Sequence, residues 1–170
     1  MRRTLFTVLA IGAAVLAVAG CGSSKKSSSS AASPPAAAAT GAADGKGETI
    51  ALKSTKLGNI LVDEDGKALY LFEADKSTSS TCTSACAASW PPVTTGGAPV
   101  AEHGARASRL GTTMRSDGKT QVTYAGHPLY YYAGDTKPGQ LNGEGLDDFG
   151  AEWYVLAASG KKVEKEGDDS

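Results

Sequence analysis

The sequence predicts a mainly β domain made of two tandem hairpin or meander units packed with pseudo-twofold symmetry. Three observations predict it. A stretch recurs at fixed spacing, each copy alternates short apolar runs with turn residues, and helical periodicity has little hold on the chain. Gly58 to Asp75 and Gly118 to Asp135 align without a gap at an offset of 60. The alignment matches Gly58/Gly118, Val62/Val122, Gly66/Gly126, Leu69/Leu129, Tyr70/Tyr130, Phe72/Tyr132 and Asp75/Asp135. Further on, Trp90-Pro91-Pro92-Val93 echoes Trp153-Tyr154-Val155-Leu156 at an offset of 63. Two units are too few for an open solenoid, whose repeats need neighbours to bury their apolar faces. The halves are therefore expected to pack on each other.

Along the chain, Thr49 to Lys53 reads as a first strand. Ile60-Leu61-Val62 is apolar, Glu64-Asp65-Gly66 is turn chemistry, and Ala68 to Phe72 is apolar and aromatic, so a hairpin is expected across that turn. In the second copy Ala125-Gly126 keeps the glycine where a positive φ is needed. Alternation puts Leu69 and Leu71 on one face and Tyr70 and Phe72 on the other, then Leu129 and Tyr131 against Tyr130 and Tyr132. Both faces are largely apolar, which calls for layers above and below. Thr112–Arg115 and Glu152–Ala157 read as further strands. Helix is confined to one turn around Thr83–Ser89, beside the cysteine pair Cys82 and Cys86.

The first forty-seven residues have a different character. Arg2 and Arg3 precede an apolar run from Leu5 to Ala19, too short to span a bilayer comfortably, and then Gly20-Cys21. Val18-Ala19-Gly20-Cys21 resembles the bacterial lipobox, which implies cleavage before Cys21 and acylation (palmitate among the chains) of its thiol and new amino terminus. Two or more acyl chains give stable anchoring. Residues 1–20 are thus expected to be a lipoprotein signal peptide. Residues 21–47, almost all Ser, Ala, Gly, Pro and Thr, read as a lipidated cysteine and flexible tether. Such a coil reaches about 25–30 Å. The β domain is expected at 48–160, with repeats at 49–93 and 109–158, and a charged, frayed tail at 161–170.

Charge narrows the function. The chain has 17 Lys and Arg against 18 Asp and Glu, and loss of Arg2 and Arg3 leaves 15 against 18. No electrostatic footprint for nucleic acid exists. There is no Gly-x-Ser-x-Gly, His-Glu-x-x-His, phosphate loop or dinucleotide fingerprint.

Tyr70-Leu71-Phe72-Glu73-Ala74-Asp75 and Tyr130-Tyr131-Tyr132-Ala133-Gly134-Asp135 both fit Tyr-x-(Phe/Trp/Tyr)-x-x-Asp. Together with Leu61-Val62-Asp63, Cys82…Cys86…Trp90-Pro91-Pro92 and Phe149-Gly150…Trp153-Tyr154, they resemble the predicted bacterial lipoproteins called secreted repeats of unknown function. The resemblance covers Thr49 to Gly160 and implies an envelope location and a duplicated domain. It brings no catalytic residues. The second unit lacks a cysteine pair, so any role of that pair belongs to the first half.

With Cys21 lipidated, Cys82 and Cys86 form an even pair in an oxidising compartment. A structural disulfide is expected, with a reducible thiol pair or a metal site as alternatives. The weak metal candidates are His103, Met114 and His127. The His103–Met114 interval matches the start of a periplasmic copper-chaperone motif, but the motif's longer second interval and closing His-x-Met are missing. Met114 is expected in the core, His103 in a solvated loop and His127 at a turn. Glu144, Asp147 and Asp148 lack EF-hand spacing and read as a solvated acidic loop. Asp75 and Asp135 are expected to cap the turns that follow them, by accepting N–H bonds around Lys76–Thr78 and Thr136–Pro138. Converging on each other, they would instead form a dyad with one raised pKa.

The expectation is a monomeric, lipid-anchored envelope protein outside the cytoplasm. Its β domain is expected to be a non-enzymatic module without a cofactor, binding an envelope protein or small ligand. The motif aromatics serve as core or as a ligand groove. The competing expectation is redox or copper-type metal handling at the cell surface.

Overall fold

The structure is a computed structural model in which residues 45–164 are described. The expected leader, Cys21 and all but the end of the tether lie outside the described residues. Within them the protein is mainly β, with three three-stranded sheets in the orders β2-β1-β4, β3-β9-β8 and β5-β6-β7. Repeat one supplies β1 (Thr49–Thr55), β2 (Gly58–Val62), β3 (Tyr70–Phe72) and α1 (Ala85–Ser89), and β4 (Val100–Ala101) follows it. A 3-10 turn at Ala107–Arg109 leads into repeat two: β5 (Leu110–Met114), β6 (Thr120–Tyr124), β7 (His127–Pro128), β8 (Leu146–Asp148) and β9 (Ala151–Val155). The one short helix lies where the cysteine pair was expected to need it. Among the described residues no helix is long and apolar enough to cross a membrane.

The two halves are interleaved rather than merely apposed. Tyr70 and Tyr130 form an antiparallel bridge, each N–H donating to the other's carbonyl at 2.8 and 3.0 Å. From this point the pairings that join the two repeats occur twice. Tyr70 pairs with Val155, and Tyr130 bridges Pro92. Ile60 bridges Ala157, and Gln121 bridges Thr94. Glu73 N–H donates to Glu152 O as Ala133 N–H donates to Ser89 O. Each repeat therefore sends its tryptophan segment across to the other, and the offset of 63 between those segments is a true structural equivalence.

The expected hairpin around Gly66 is only partly formed. After the Val62↔Ala68 bridge the chain leaves β2, and β3 pairs with β9 of the other repeat. The long hairpin partner of β2 is β1, joined by a two-residue turn, whereas β5 and β6 close a longer loop. That difference corrects the ungapped alignment. Leu52↔Leu61 corresponds to Thr112↔Val122, so β2 and β6 are offset by 61, and the next turn, one residue shorter in repeat two, restores 60. Gly58/Gly118 and Val62/Val122 are coincidences of that slip. The five matches from Gly66/Gly126 onward are structural. Gly66 and Gly126 have φ of 81° and 89°, a left-handed conformation that favours glycine.

Face assignment follows the alternation. Tyr70, Phe72 and Tyr130 share one core cluster with Trp90, Trp153 and the cysteines, and Tyr132 packs on it. Leu69, Leu71 and Leu129 share the other with Ile50, Leu61, Val122 and Leu156, joined by Tyr131. The Tyr-containing strands are thus a wall between two cores.

Cys82 and Cys86 form a disulfide with Cα atoms 5.2 Å apart, and both are buried. Closing so short a loop is worth about 2 kcal/mol through the unfolded state. Replacing both by alanine is expected to lower the midpoint of thermal unfolding by about 6–12 °C with the far-UV spectrum unchanged. An unchanged midpoint in calorimetry would show that the staple carries no stability.

Candidate functional site

The recurring motif residues meet across the axis. The Tyr130 hydroxyl donates to Asp75 Oδ2 at 2.6 Å, and the Tyr70 hydroxyl donates to Asp135 Oδ2 at 2.6 Å. Each tyrosine thus finds the aspartate of the other repeat. The second oxygen of each carboxylate orders a loop, but further along the chain than Lys76–Thr78 or Thr136–Pro138. Asp75 Oδ1 accepts from Thr81 N–H and Oγ1 at 2.7 and 2.6 Å, and Asp135 Oδ1 accepts from Asn142 N–H at 2.9 Å. The tyrosines take up the oxygens that a shared-proton dyad would need. Burial, followed by the carboxylate partner, pushes both phenols above the usual tyrosine value of 10.0.

Between the two pairs lies a palindromic ring stack, Phe72–Trp153–Trp90–Tyr132. Centroids are 4.0, 3.9 and 4.4 Å apart, and the two indoles are inclined by only 4°. Tyr70 meets Trp90 edge-on at 5.4 Å, and Tyr130 meets Trp153 edge-on at 5.2 Å. The two edge-on contacts suit the ring quadrupoles. With Trp90, Trp153, Tyr70 and Tyr130 all buried, these rings build the core and form no open ligand groove.

The halves differ beyond the rings. Around Asp75, Ser80 Oγ contacts the Tyr130 hydroxyl at 2.7 Å and accepts from Arg115 Nη1 at 2.8 Å. Buried Arg115 also donates to Gln121 Oε1 and Cys82 O, and Gln121 Nε2 donates to Leu129 O. A charged group this deep must be hydrogen-bonded on several sides, and the disulfide loop supplies one of the acceptors. Sequence reasoning missed Ser80, Thr81, Arg115, Gln121 and Asn142. The slipped alignment carries a signal for one of them: Gln121 stands where repeat one has Ile60, and Thr123 where it has Val62. Polar residues at core positions point to a buried network.

The metal candidates do not assemble. Met114 is 69% exposed rather than core, because it ends β5 on the outward side of its pairing with Thr120. His103 sits in an exposed turn 3.7 Å from Glu102, and half-buried His127 opens β7 just after the turn, paired with Tyr124. Among the described residues no three His, Cys, Asp or Glu side chains are placed to hold a metal. Glu144 is not in a solvated loop: it is buried and accepts from Val155 N–H at 2.8 Å.

Two clefts flank the motif, and they are related by the pseudo-twofold axis. One, of about 940 Å³, lies between Leu71, Phe72 and Asp75 of repeat one and the Ala125-Gly126-His127 turn of repeat two. Its counterpart, of about 250 Å³, lies between Tyr131, Tyr132 and Asp135 and the Lys67-Ala68 segment. Lys76 and Lys161 line the large cleft and make no ion pair among the described residues. Lys162 is engaged by Glu73 and Glu164 at 2.8 and 2.7 Å.

Burial makes the Tyr70 and Tyr130 hydroxyls harder to ionise, and it does the same to Tyr131, which faces Glu48 and Asp63. A phenol raised above its unfolded value of 10.0 stabilises the fold fully below that pH, and the contribution is lost as pH rises beyond it. Absorbance at 295 nm is therefore expected to show a tyrosine fraction that titrates only as the circular dichroism collapses. Full titration while the spectrum stays native at pH 11 would contradict this. Removing one hydroxyl strands a carboxylate oxygen, so Tyr130→Phe is expected to cost about 1.5–3 kcal/mol in denaturant unfolding. Tyr70→Phe should cost less, because Asp135 is half-exposed where Asp75 is buried.

The secreted repeat of unknown function matches the chain twice, over residues 51–94 and 111–157. Each match ends on a residue that bridges the other repeat, Thr94 to Gln121 and Ala157 to Ile60. No curated protein and no solved structure matches the chain. The matched segments cover more than half of the sequence, and the chain belongs to the family of secreted repeats of unknown function.

Proposed function

We propose that this secreted-repeat protein is anchored to the outer side of a bacterial membrane through lipid on Cys21. Its β domain then acts as a monomeric, non-catalytic binding module held clear of the bilayer by the tether. The observation that carries the binding reading is the large cleft. Leu71 and Phe72 line it from the two faces of β3, and the cations Lys76 and Lys161 line it too, while Glu73 and Glu164 are occupied by Lys162. Apolar lining with a few convergent polar groups is the usual build of a small-ligand site. The ligand class that fits is a small molecule with an apolar body and an anionic end.

The probe 8-anilinonaphthalene-1-sulfonate has that chemistry. It is expected to bind once per chain with blue-shifted emission, and Lys76→Glu/Lys161→Glu is expected to weaken it tenfold, about 1.4 kcal/mol. Emission that never saturates, or affinity indifferent to the charge reversal, would remove the cleft from consideration. The anchor is tested separately: cells fed radiolabelled palmitate should label the wild type, and Cys21→Ser should abolish the label and release the protein into the medium. A label retained by Cys21→Ser would dispose of that anchor.

A further inference from the structure

We propose that the crossed tyrosine–aspartate pairs and the ring stack between them form a redox-active relay. The relay takes up one-electron oxidising equivalents and holds them as a tyrosyl radical in the core. The geometry supports each part of the device. An electron moves readily between π-systems in contact, and the chain Phe72–Trp153–Trp90–Tyr132 has no centroid gap above 4.4 Å. Phe72, which does not oxidise readily, closes one end. Half-buried Tyr132, whose hydroxyl has no carboxylate at hydrogen-bond distance among the described residues, closes the other.

Proton acceptors are placed at the tyrosines and withheld from the tryptophans. A phenol gives up an electron easily only when its proton leaves with it, which requires a base in hydrogen-bond reach. Tyr130 and Tyr70 each have a carboxylate oxygen at 2.6 Å. Trp153 Nε1 donates to a backbone carbonyl, Asp148 O, and Trp90 Nε1 has no partner among the described residues. Among the described residues neither indole nitrogen has a carboxylate at hydrogen-bond distance, so a hole on the stack is passed to a phenol.

An outer-sphere one-electron oxidant, such as an oxidised metal complex or an oxygen-derived radical, removes one electron from the indole stack and leaves an indole radical cation. Tyr130 then returns one electron to the stack and passes its phenolic proton to Asp75 Oδ2. The neutral indole, a neutral tyrosyl radical and a neutral carboxylic acid remain. A small-molecule reductant of the thiol or enediol class reverses the step, with one electron to the tyrosyl and the proton returned by Asp75. Tyr70 and Asp135 perform the same step from Trp90. The pairs differ in lifetime, because half-exposed Asp135 exchanges its proton with water and buried Asp75 keeps it.

The test uses the full chain with its disulfide intact, flash-oxidised by photogenerated tris(bipyridine)ruthenium(III) with persulfate as the electron sink. Freeze-quenched samples are read by electron paramagnetic resonance. The wild type is expected to give a tyrosyl signal that Tyr70→Phe/Tyr130→Phe lowers at least tenfold, while Tyr154→Phe, at the surface beneath Lys162, leaves it unchanged. Asp75→Asn/Asp135→Asn keeps an oxygen to accept each phenolic hydrogen bond but removes the base. That variant should trap an indole signal in place of the tyrosyl one. Transient absorption of the wild type alone covers the case in which variants fail to fold: decay of the indole radical should slow at least twofold in D₂O. Equal decay in H₂O and D₂O, or an undiminished tyrosyl signal in either double variant, would overturn the relay.

Discussion

The reciprocal backbone pair between Tyr70 and Tyr130 is the constraint on which the rest of the structure depends. Two strands from different repeats lie antiparallel at the axis and exchange both N–H···O bonds. With that pair in place, side-chain alternation sends Tyr70, Phe72, Tyr130 and Tyr132 to the same side, where the tryptophan segments must cover them. Because β3 pairs with β9, and Tyr130 with Pro92, each tryptophan is delivered by the other repeat. A single repeat would leave its aromatic face open and its aspartate without a phenol. The duplication is therefore a requirement of folding, consistent with a unit too small to bury a core of its own.

Symmetry of the backbone coexists with divergence of the side chains. Repeat one spends its crossover on α1 and the disulfide, whereas repeat two uses the β8–β9 hairpin. The disulfide loop presents Cys82 O to Arg115, and Arg115 reaches Ser80, which contacts the Tyr130 hydroxyl. Only the Asp75 side receives this buried network. Asp135 is held by Asn142 in an exposed loop, so one pair is rigid and dry while the other borders water. The same local motif thus sits in two dielectric settings, and a buried pair responds to loss of a partner more strongly than a solvated one.

Much of the fold was legible in the sequence, because periodicity and repetition are properties of the chain itself. The mainly β class, the two-faced Tyr strand, the helical turn at the cysteines and the 63-residue echo all follow from side-chain pattern. The turns were less legible. A one-residue insertion before β6 and a one-residue deletion after it cancel, so an ungapped alignment conceals a slip of one position in the strand between them. Strand exchange was not legible either, since a hairpin signal around Gly66 looks the same whether the second strand continues its pairing or crosses to another partner. For the site, the motif residues were named, but the tyrosine-to-aspartate crossing is a long-range contact with no local signature. Met114 misled because hydrophobicity does not report which side of an edge strand a residue occupies.

The two clefts show what the duplication leaves free to change. Both lie where an aspartate-terminated strand of one repeat meets a turn of the other, so the axis guarantees a pair of similar hollows. Tyr131 stands where repeat one has Leu71, and each lines the hollow on its own side of the axis. Tyr131 is also tied to Glu48, whose carboxyl is raised above its ordinary value chiefly by burial. The small cleft is thereby closed down as part of the scaffold. The large one keeps apolar lining and two lysines, Lys76 and Lys161, that make no ion pair among the described residues. Residues that maintain the axis are constrained from both repeats at once, whereas those lining a hollow answer to one repeat each. Functional divergence in such a fold is expected to collect in the hollows, and there the two halves of this chain differ most in volume.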